Sequence, residues 1–232
     1  MCGRFSMYYA EDLKNRFDLE GSIMDLENRY NIAPGQKAAV ILRNSPNKGI
    51  LMKWGLIPYW AKDPAIGFKM INARSESLAE KPSFKRPFLH QRCLIPTSGF
   101  YEWKKLDDKT KVPYYLKLKK QKIFALAGLY DKWQDIEGKE ISTFTIITTE
   151  PNKLISPIHA RMPAILKKEA ENTWLDNNLK DINVLTKLLK PFNAQKMEAY
   201  TVSKKVNSPE NDNKDLIEPV DPEEEKIQPK LL

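Results

Sequence analysis

The run Ile123-Phe124-Ala125-Leu126-Ala127-Gly128-Leu129-Tyr130 is eight residues long and carries no charge. A run of that length and composition fits a strand buried on both faces. Its neighbours support that reading. Tyr114 to Lys119 (YYLKLK) alternates apolar and polar side chains, the pattern of a half-buried strand. Residues 141–148 (ISTFTIIT) are rich in β-branched and aromatic types. Asp107–Thr110 and Gln134–Gly138 carry the residues that turns require. Strands are therefore expected at 113–119, 122–130 and 141–148, joined by short turns, so the chain is committed to sheet at its centre.

Outside that centre the pattern is mixed. Residues 8–17 predict a short amphipathic helix with Tyr9, Leu13 and Phe17 on one face. Strands are expected at 38–43 and 50–54, around a turn at Asn44–Gly49. Trp54-Gly55-Leu56-Ile57-Pro58-Tyr59-Trp60 reads as an aromatic loop, and Ser75 as the cap of a helix running toward Glu80. Cys93-Leu94-Ile95-Pro96 is apolar and expected to be buried, followed by a strand-like Ser98–Trp103. A short helix at Pro151–Ile155, a strand at 164–166, helices at 167–176 and 181–190, and a last strand at 197–203 complete the set. No internal repeat or long linker divides these elements, so the expectation is one strand-rich α+β domain over residues 2–206.

Beyond Asn207 the composition changes. Residues 207–232 hold eight acidic and three basic residues, with Pro209, Pro219, Pro222 and Pro229 among them. An acidic, proline-rich, disordered tail is expected there. The whole chain carries +8, so with −5 in the tail residues 1–206 carry +13. A body that basic suits a polyanionic partner such as nucleic acid. No run of 18 apolar residues is present, and no charged-then-apolar leader, so neither a membrane span nor a signal peptide is expected. Two cysteines do not make a disulfide framework, and a cytoplasmic (in a bacterium, nucleoid-associated) location is expected.

Among chemical motifs, the phosphate-binding glycine loop, the dinucleotide fingerprint and zinc spacing are all missing, so no cofactor or metal is expected. What stands out is Cys2. With Met1 removed, it carries a free α-amine and a thiol on adjacent carbons, with reference pKa values near ~8 and ~8.5. Such an amine condenses with an aldehyde to a Schiff base, and the thiol then closes a five-membered ring on the same carbon. Glu102 lies between Tyr101 and Trp103, where a partly dry setting would raise its pKa into acid/base range. His159 sits in a short, broken segment. Asn72 and Arg74 are two apart and share one side of an extended segment. Lys85, Arg86 and Arg92 lie in a basic stretch around Phe84 and Phe88.

Nine stretches occur in order: MCGRF, YNIAPGQ, WGLIPYW, INARSES, RCLIPTSGFYEW, YYLKLK, FALAGLY, TIITTEPN and HARMPAIL. Together they resemble the SRAP (SOS response-associated peptidase) family, from Cys2 to about Val202. The resemblance implies curved antiparallel sheets with a barrel-like core and flanking helices. It implies a protein that binds single-stranded DNA, or single-strand/double-strand junctions, and crosslinks to abasic sites through a thiazolidine on Cys2. It further implies that Asn72 holds the cysteine and sugar, that Glu102 shuttles protons, and that His159 assists sugar ring opening and crosslink release. Arg4, Arg74 and Arg161 would contact phosphates, Trp54 and Trp103 would stack on bases, and Lys85, Arg86 and Arg92 would extend the basic track. N-terminal (auto)peptidase and DNA lyase-type activities, and a monomeric state, belong to the same expectation. Two alternatives stand beside it. Class II glutamine amidotransferases also begin Met-Cys-Gly, although Arg4-Phe5 suits them poorly, and a non-covalent single-stranded DNA binder would leave Cys2 incidental.

Overall fold

The computed structural model describes residues 2–21, 23, 26–43 and 46–221. In chain order it comprises β1 (Arg4–Met7), α1 (Leu13–Phe17), β2 (Arg29–Ile32), β3 (Lys37–Leu42), β4 (Lys48–Trp54), β5 (Asn72–Arg74), α2 (Pro82–His90), β6 (Arg92–Thr97) and β7 (Gly99–Lys105). Then come β8 (Lys111–Leu118), β9 (Phe124–Gln134), β10 (Glu140–Thr149), β11 (Met162–Pro163), β12 (Ile165–Leu166), α3 (Lys168–Leu175), α4 (Ile182–Lys187) and β13 (Met197–Thr201).

The uncharged run becomes β9, which explains its composition. It pairs with β6 on one side and β10 on the other. Antiparallel pairing of β9 with β6, of β6 with β3 and of β3 with β4 leads to β4, which pairs parallel with β10. β10 then pairs back to β9, so five strands close a ring and a barrel core results. Closure leaves these strands no free edge, and Val40, Ile41, Leu94, Ile95, Ala127, Phe144 and Ile146 are buried among them. Gly128 is the one residue of the run without a side chain, and the packing requires it. A Cβ there would stand 2.1 Å from Ile95 Cδ1 and 3.0 Å from Cys93 Sγ. A second sheet, β13-β8-β7-β1-β2, is antiparallel throughout. The α+β, barrel-like expectation therefore holds, with parallel pairings of β10 to β4 and β5 added to it.

Several local expectations shift. The helix at 8–17 is a 3-10 turn (Ala10–Asp12) followed by one turn of α1, ended by Asp18 in the left-handed region at φ 51°. Ser75 starts only a 3-10 turn, Ser75–Ser77. The segment 151–155 is not helical. The Asn152 side-chain carbonyl accepts from the Leu154 and Ile155 amides (3.0 Å each), a local turn that competes with a helix. The expected Asn44–Gly49 turn includes residues 44 and 45, which lie outside the described residues.

The expected disorder from Asn207 meets a folded segment as far as Asp221. Val206 and Leu216 are fully buried beside Tyr101 and Tyr115. Asp212 pairs with Arg29 and accepts from the Tyr30 and Asn31 amides. Val220 and Thr201 are joined by backbone and side-chain hydrogen bonds. Two apolar anchors and one carboxylate cap hold a segment whose average composition is that of a tail. Residues 222–232 of the expected tail lie outside the described residues.

Candidate active site

Cys2 leads into β1, whose pairing with β7 brings the N-terminal stretch alongside Glu102. β1 carries no alternation that marks it as a strand, yet its Phe5 and Met7 are buried. Cys2 is itself fully buried, and its thiol points at the Arg4 carbonyl, 3.9 Å away. Burial pushes the thiol pKa up, and the Glu102 charge adds to that.

Asn72 opens β5, which pairs parallel with β10. Its side-chain amide donates to the Cys2 carbonyl at 2.8 Å. Asn72 Oδ1 is buried and has no hydrogen-bond partner among the described residues. Burial therefore leaves an acceptor next to Cys2 available to a group arriving with a donor.

Glu102 is almost fully buried on β7. Burial pushes its carboxyl up to about 7. At neutral pH it is then divided between acid and carboxylate, the condition for carrying a proton in either direction. His159 Nδ1 lies 3.9 Å from Glu102 Oε2. The same nitrogen is 3.1 Å from both the amide and the carbonyl of Arg161, so the 159–161 turn sets the ring orientation. Burial lowers the imidazole pKa and favours its neutral form. Cys2, Asn72, Glu102 and His159 are thus joined by pairwise contacts across four segments far apart in sequence.

The expected DNA-contact residues divide. Arg74 is exposed at the end of β5. Arg161 is engaged: its two terminal nitrogens donate to Glu76 (2.8 and 2.9 Å), and one also donates to the Thr148 carbonyl. Lys85 is exposed on α2. Arg86 lies over the Tyr59 ring and bonds Gln91 and the buried Asp131, whose other oxygen accepts from the Tyr59 amide. Trp103 is half-buried, with the Arg4 guanidinium 5.9 Å from its ring centre.

Two expectations fail. Trp54 is no stacking platform. It is buried between Phe5 and Phe144, and its indole N–H donates to the Ile71 carbonyl. Arg92 is no part of a DNA track. It is fully buried and donates to the carbonyls of Phe88, Trp174, Asp176 and Leu179, tying α2 to the end of α3.

The exposed aromatics that sequence reasoning passed over are Tyr59, Trp60 and Phe68, at 56, 49 and 69% exposure. They lie on the β4–β5 loop, which doubles back so closely that a Cβ on Gly55 (φ 122°) would approach the Gly67 carbonyl at 2.7 Å. The signal was in the sequence: Tyr59-Trp60 follows Pro58 and precedes Lys62-Asp63-Pro64, a polar and broken setting for two large rings.

Comparison with known proteins bears on what this cluster does. The family model described as SOS response associated peptidase (SRAP) matches residues 1–209. The chain is 49% identical over 222 residues to the abasic site processing protein YoqW of Bacillus subtilis, covering 94% of this chain and 99% of that protein. It is 35% identical over 194 residues to the abasic site processing protein HMCES of Gallus gallus, covering 73% of this chain and 57% of that one. A crystal structure of a protein from Bacteroides thetaiotaomicron superposes with a TM-score of 0.84 at 33% identity, covering 90% of this chain and 97% of the other.

Proposed function

The chain belongs to the SRAP family, and from that premise we propose that it processes abasic sites in DNA by covalent capture on Cys2. The observation that carries the reading is the buried Glu102 carboxyl, held near pKa 7, beside His159 and electrostatically coupled to Cys2. Removal of Met1 frees the Cys2 amine, whether the protein does this itself or a cellular aminopeptidase does. His159, neutral at physiological pH, takes the proton from the anomeric hydroxyl of the abasic sugar as the ring oxygen is protonated, and the aldehyde opens. The Cys2 amine adds to the aldehyde carbon to give a carbinolamine. Glu102 in its acid form protonates the departing hydroxyl, and one water leaves as the Schiff base forms. The Cys2 sulfur then attacks the same carbon, its proton passing to the carboxylate that Glu102 has become, and a thiazolidine closes. Asn72 holds the Cys2 carbonyl throughout, so amine and thiol meet the aldehyde from a fixed direction.

Proton return from Glu102 reverses the same steps, which accounts for crosslink release. The substrate is single-stranded DNA, or the single strand at a junction with duplex. Arg74, Arg161 and Lys85 supply phosphate contacts and Trp103, Tyr59, Trp60 and Phe68 offer ring faces to unstacked bases. The protein acts as a monomer. Among the described residues no helix is long and apolar enough to cross a membrane. The family match and the barrel stand against the amidotransferase alternative.

The test is intact-mass analysis after incubation with an abasic single-stranded oligonucleotide. The expected product is protein without Met1 plus oligonucleotide minus one water, stable on a denaturing gel. Cys2→Ala is expected to lose this stable product while keeping an adduct that borohydride traps, because its N-terminal amine remains. An undiminished stable adduct in Cys2→Ala sinks the proposal.

A further inference from the structure

A groove of about 710 Å³ lies beside the candidate site, lined in part by Arg4, Trp103, Lys109, Lys111, Lys204 and Asn207. One wall is the β7–β8 hairpin. Its two acidic residues are turned to other work: Asp107 accepts from the Lys109 and Thr110 amides (2.8 and 2.7 Å) and shapes the turn, and Asp108 pairs with Lys105 at 2.6 Å. Lys109 and Lys111 face the groove, and neither is ion-paired among the described residues. The opposite wall is the 204–207 segment. Asn31 fixes it by donating to the carbonyls of Val206, Ser208 and Asn211 (3.2, 2.9 and 2.7 Å), and Arg4 adds a bond to the Val206 carbonyl at 2.7 Å. The floor is the Trp103 ring with the Arg4 guanidinium over it, the indole N–H donating to Asn207 Oδ1 at 2.8 Å.

We propose that this groove is a nucleic-acid surface: it receives the single strand flanking the captured sugar on one side, with Lys109 and Lys111 on its phosphates and Trp103 against a base. The inference rests on the proposed function for its substrate class, and it adds residues that the SRAP resemblance does not supply. Position argues for it. Arg4 is two residues from Cys2 and Trp103 follows Glu102, so the groove opens directly from the reacting groups. Chemistry argues for a single strand. A ring face bordered by cations matches an unstacked base with a phosphate on either side, whereas duplex DNA keeps its base faces covered. The wall that completes the groove is made by residues whose composition alone points to a tail.

The experiment measures binding of an undamaged single-stranded oligonucleotide by fluorescence anisotropy across a salt series. Each phosphate neutralised contributes about 0.7 to the slope of log affinity against log salt for single strands. Lys109→Ala/Lys111→Ala is expected to weaken binding and flatten the slope by about 1.4. Lys109→Glu/Lys111→Glu is expected to weaken it further. Lys119→Ala/Lys120→Ala, exposed beyond the far end of β8, is expected to keep the parental slope. Unfolding midpoints of all three variants, read in the same buffer, are expected to match the parent because these side chains lie on the surface. A parental slope in Lys109→Ala/Lys111→Ala, or an equal flattening in the control pair, overturns the proposal. Covalent capture of abasic oligonucleotide by the parent is scored separately. Capture without a slope change removes the groove alone, and a slope change without capture removes the covalent reading alone.

Discussion

Glu102→Gln isolates the effect of burying a carboxylate at the candidate site. The side chain is almost fully buried, and burial moves its carboxyl from an ordinary 4.5 to about 7. Between those two values the folded protein holds a proton that the unfolded chain has released. Raising the pH therefore favours unfolding across that window, and the loss is complete once the pH passes the folded value. At about 1.4 kcal/mol per pH unit, the gap amounts to ~3 kcal/mol. Glutamine has nearly the same shape and no charge to bury. Relative to the parent, Glu102→Gln is thus expected to gain ~3 kcal/mol in going from pH 4 to pH 8, whatever constant offset its amide introduces. Urea denaturation of both proteins at several pH values reads this directly, since every other titrating group cancels in the difference. The same group should give the parent's crosslinking rate an inflection near pH 7 that Glu102→Gln lacks. A stability difference that stays flat between pH 4 and pH 8 refutes the reasoning, because a carboxyl with an ordinary pKa cannot serve as the neutral-pH proton carrier.

Arg92→Met is expected to cost about 3–5 kcal/mol in urea denaturation, since it abandons four buried carbonyls, and to leave the salt dependence of DNA binding alone. Retained stability with a flattened salt slope would return Arg92 to the DNA track. The two tryptophans of the aromatic loop should separate cleanly. Trp60→Ala is expected to lose about 1–3 kcal/mol of single-strand binding with the unfolding midpoint unchanged, and Trp54→Ala to lose about 3–5 kcal/mol of stability by opening a core cavity. Glu76→Gln releases the Arg161 fork from an exposed ion pair worth under about 1 kcal/mol. Tighter DNA binding at low salt is expected by anisotropy, and weaker binding would show that Glu76 instead holds Arg161 in its working position.

Strands were legible because their signals are local. Alternation in YYLKLK, the uncharged run at 123–130 and the turn residues between them act over a few positions, and each became β8, β9 and their turns. Glu102 was legible for a related reason: a carboxylate set among aromatics on a strand has few ways to avoid burial. Trp54 and Arg92 misled because a tryptophan or an arginine in isolation carries no sign of which way it faces. Trp54 was turned inward by Phe5 and Phe144, 49 and 90 residues away, and Arg92 by carbonyls at 174, 176 and 179.

From the N-terminal stretch the sequence by itself determined the chemistry available: an amine and a thiol on one residue once Met1 is gone, within a strand-rich basic body. Tertiary structure alone decided where that chemistry is spent. Pairing of β1 with β7 and of β5 with β10 sets Cys2 beside Asn72 and Glu102, and the 159–161 turn adds His159. It alone also made residues 206–221 a wall instead of a tail. A few anchors suffice for that, because Leu216 and Asp212 gain burial and hydrogen bonds only from partners that sequence distance conceals.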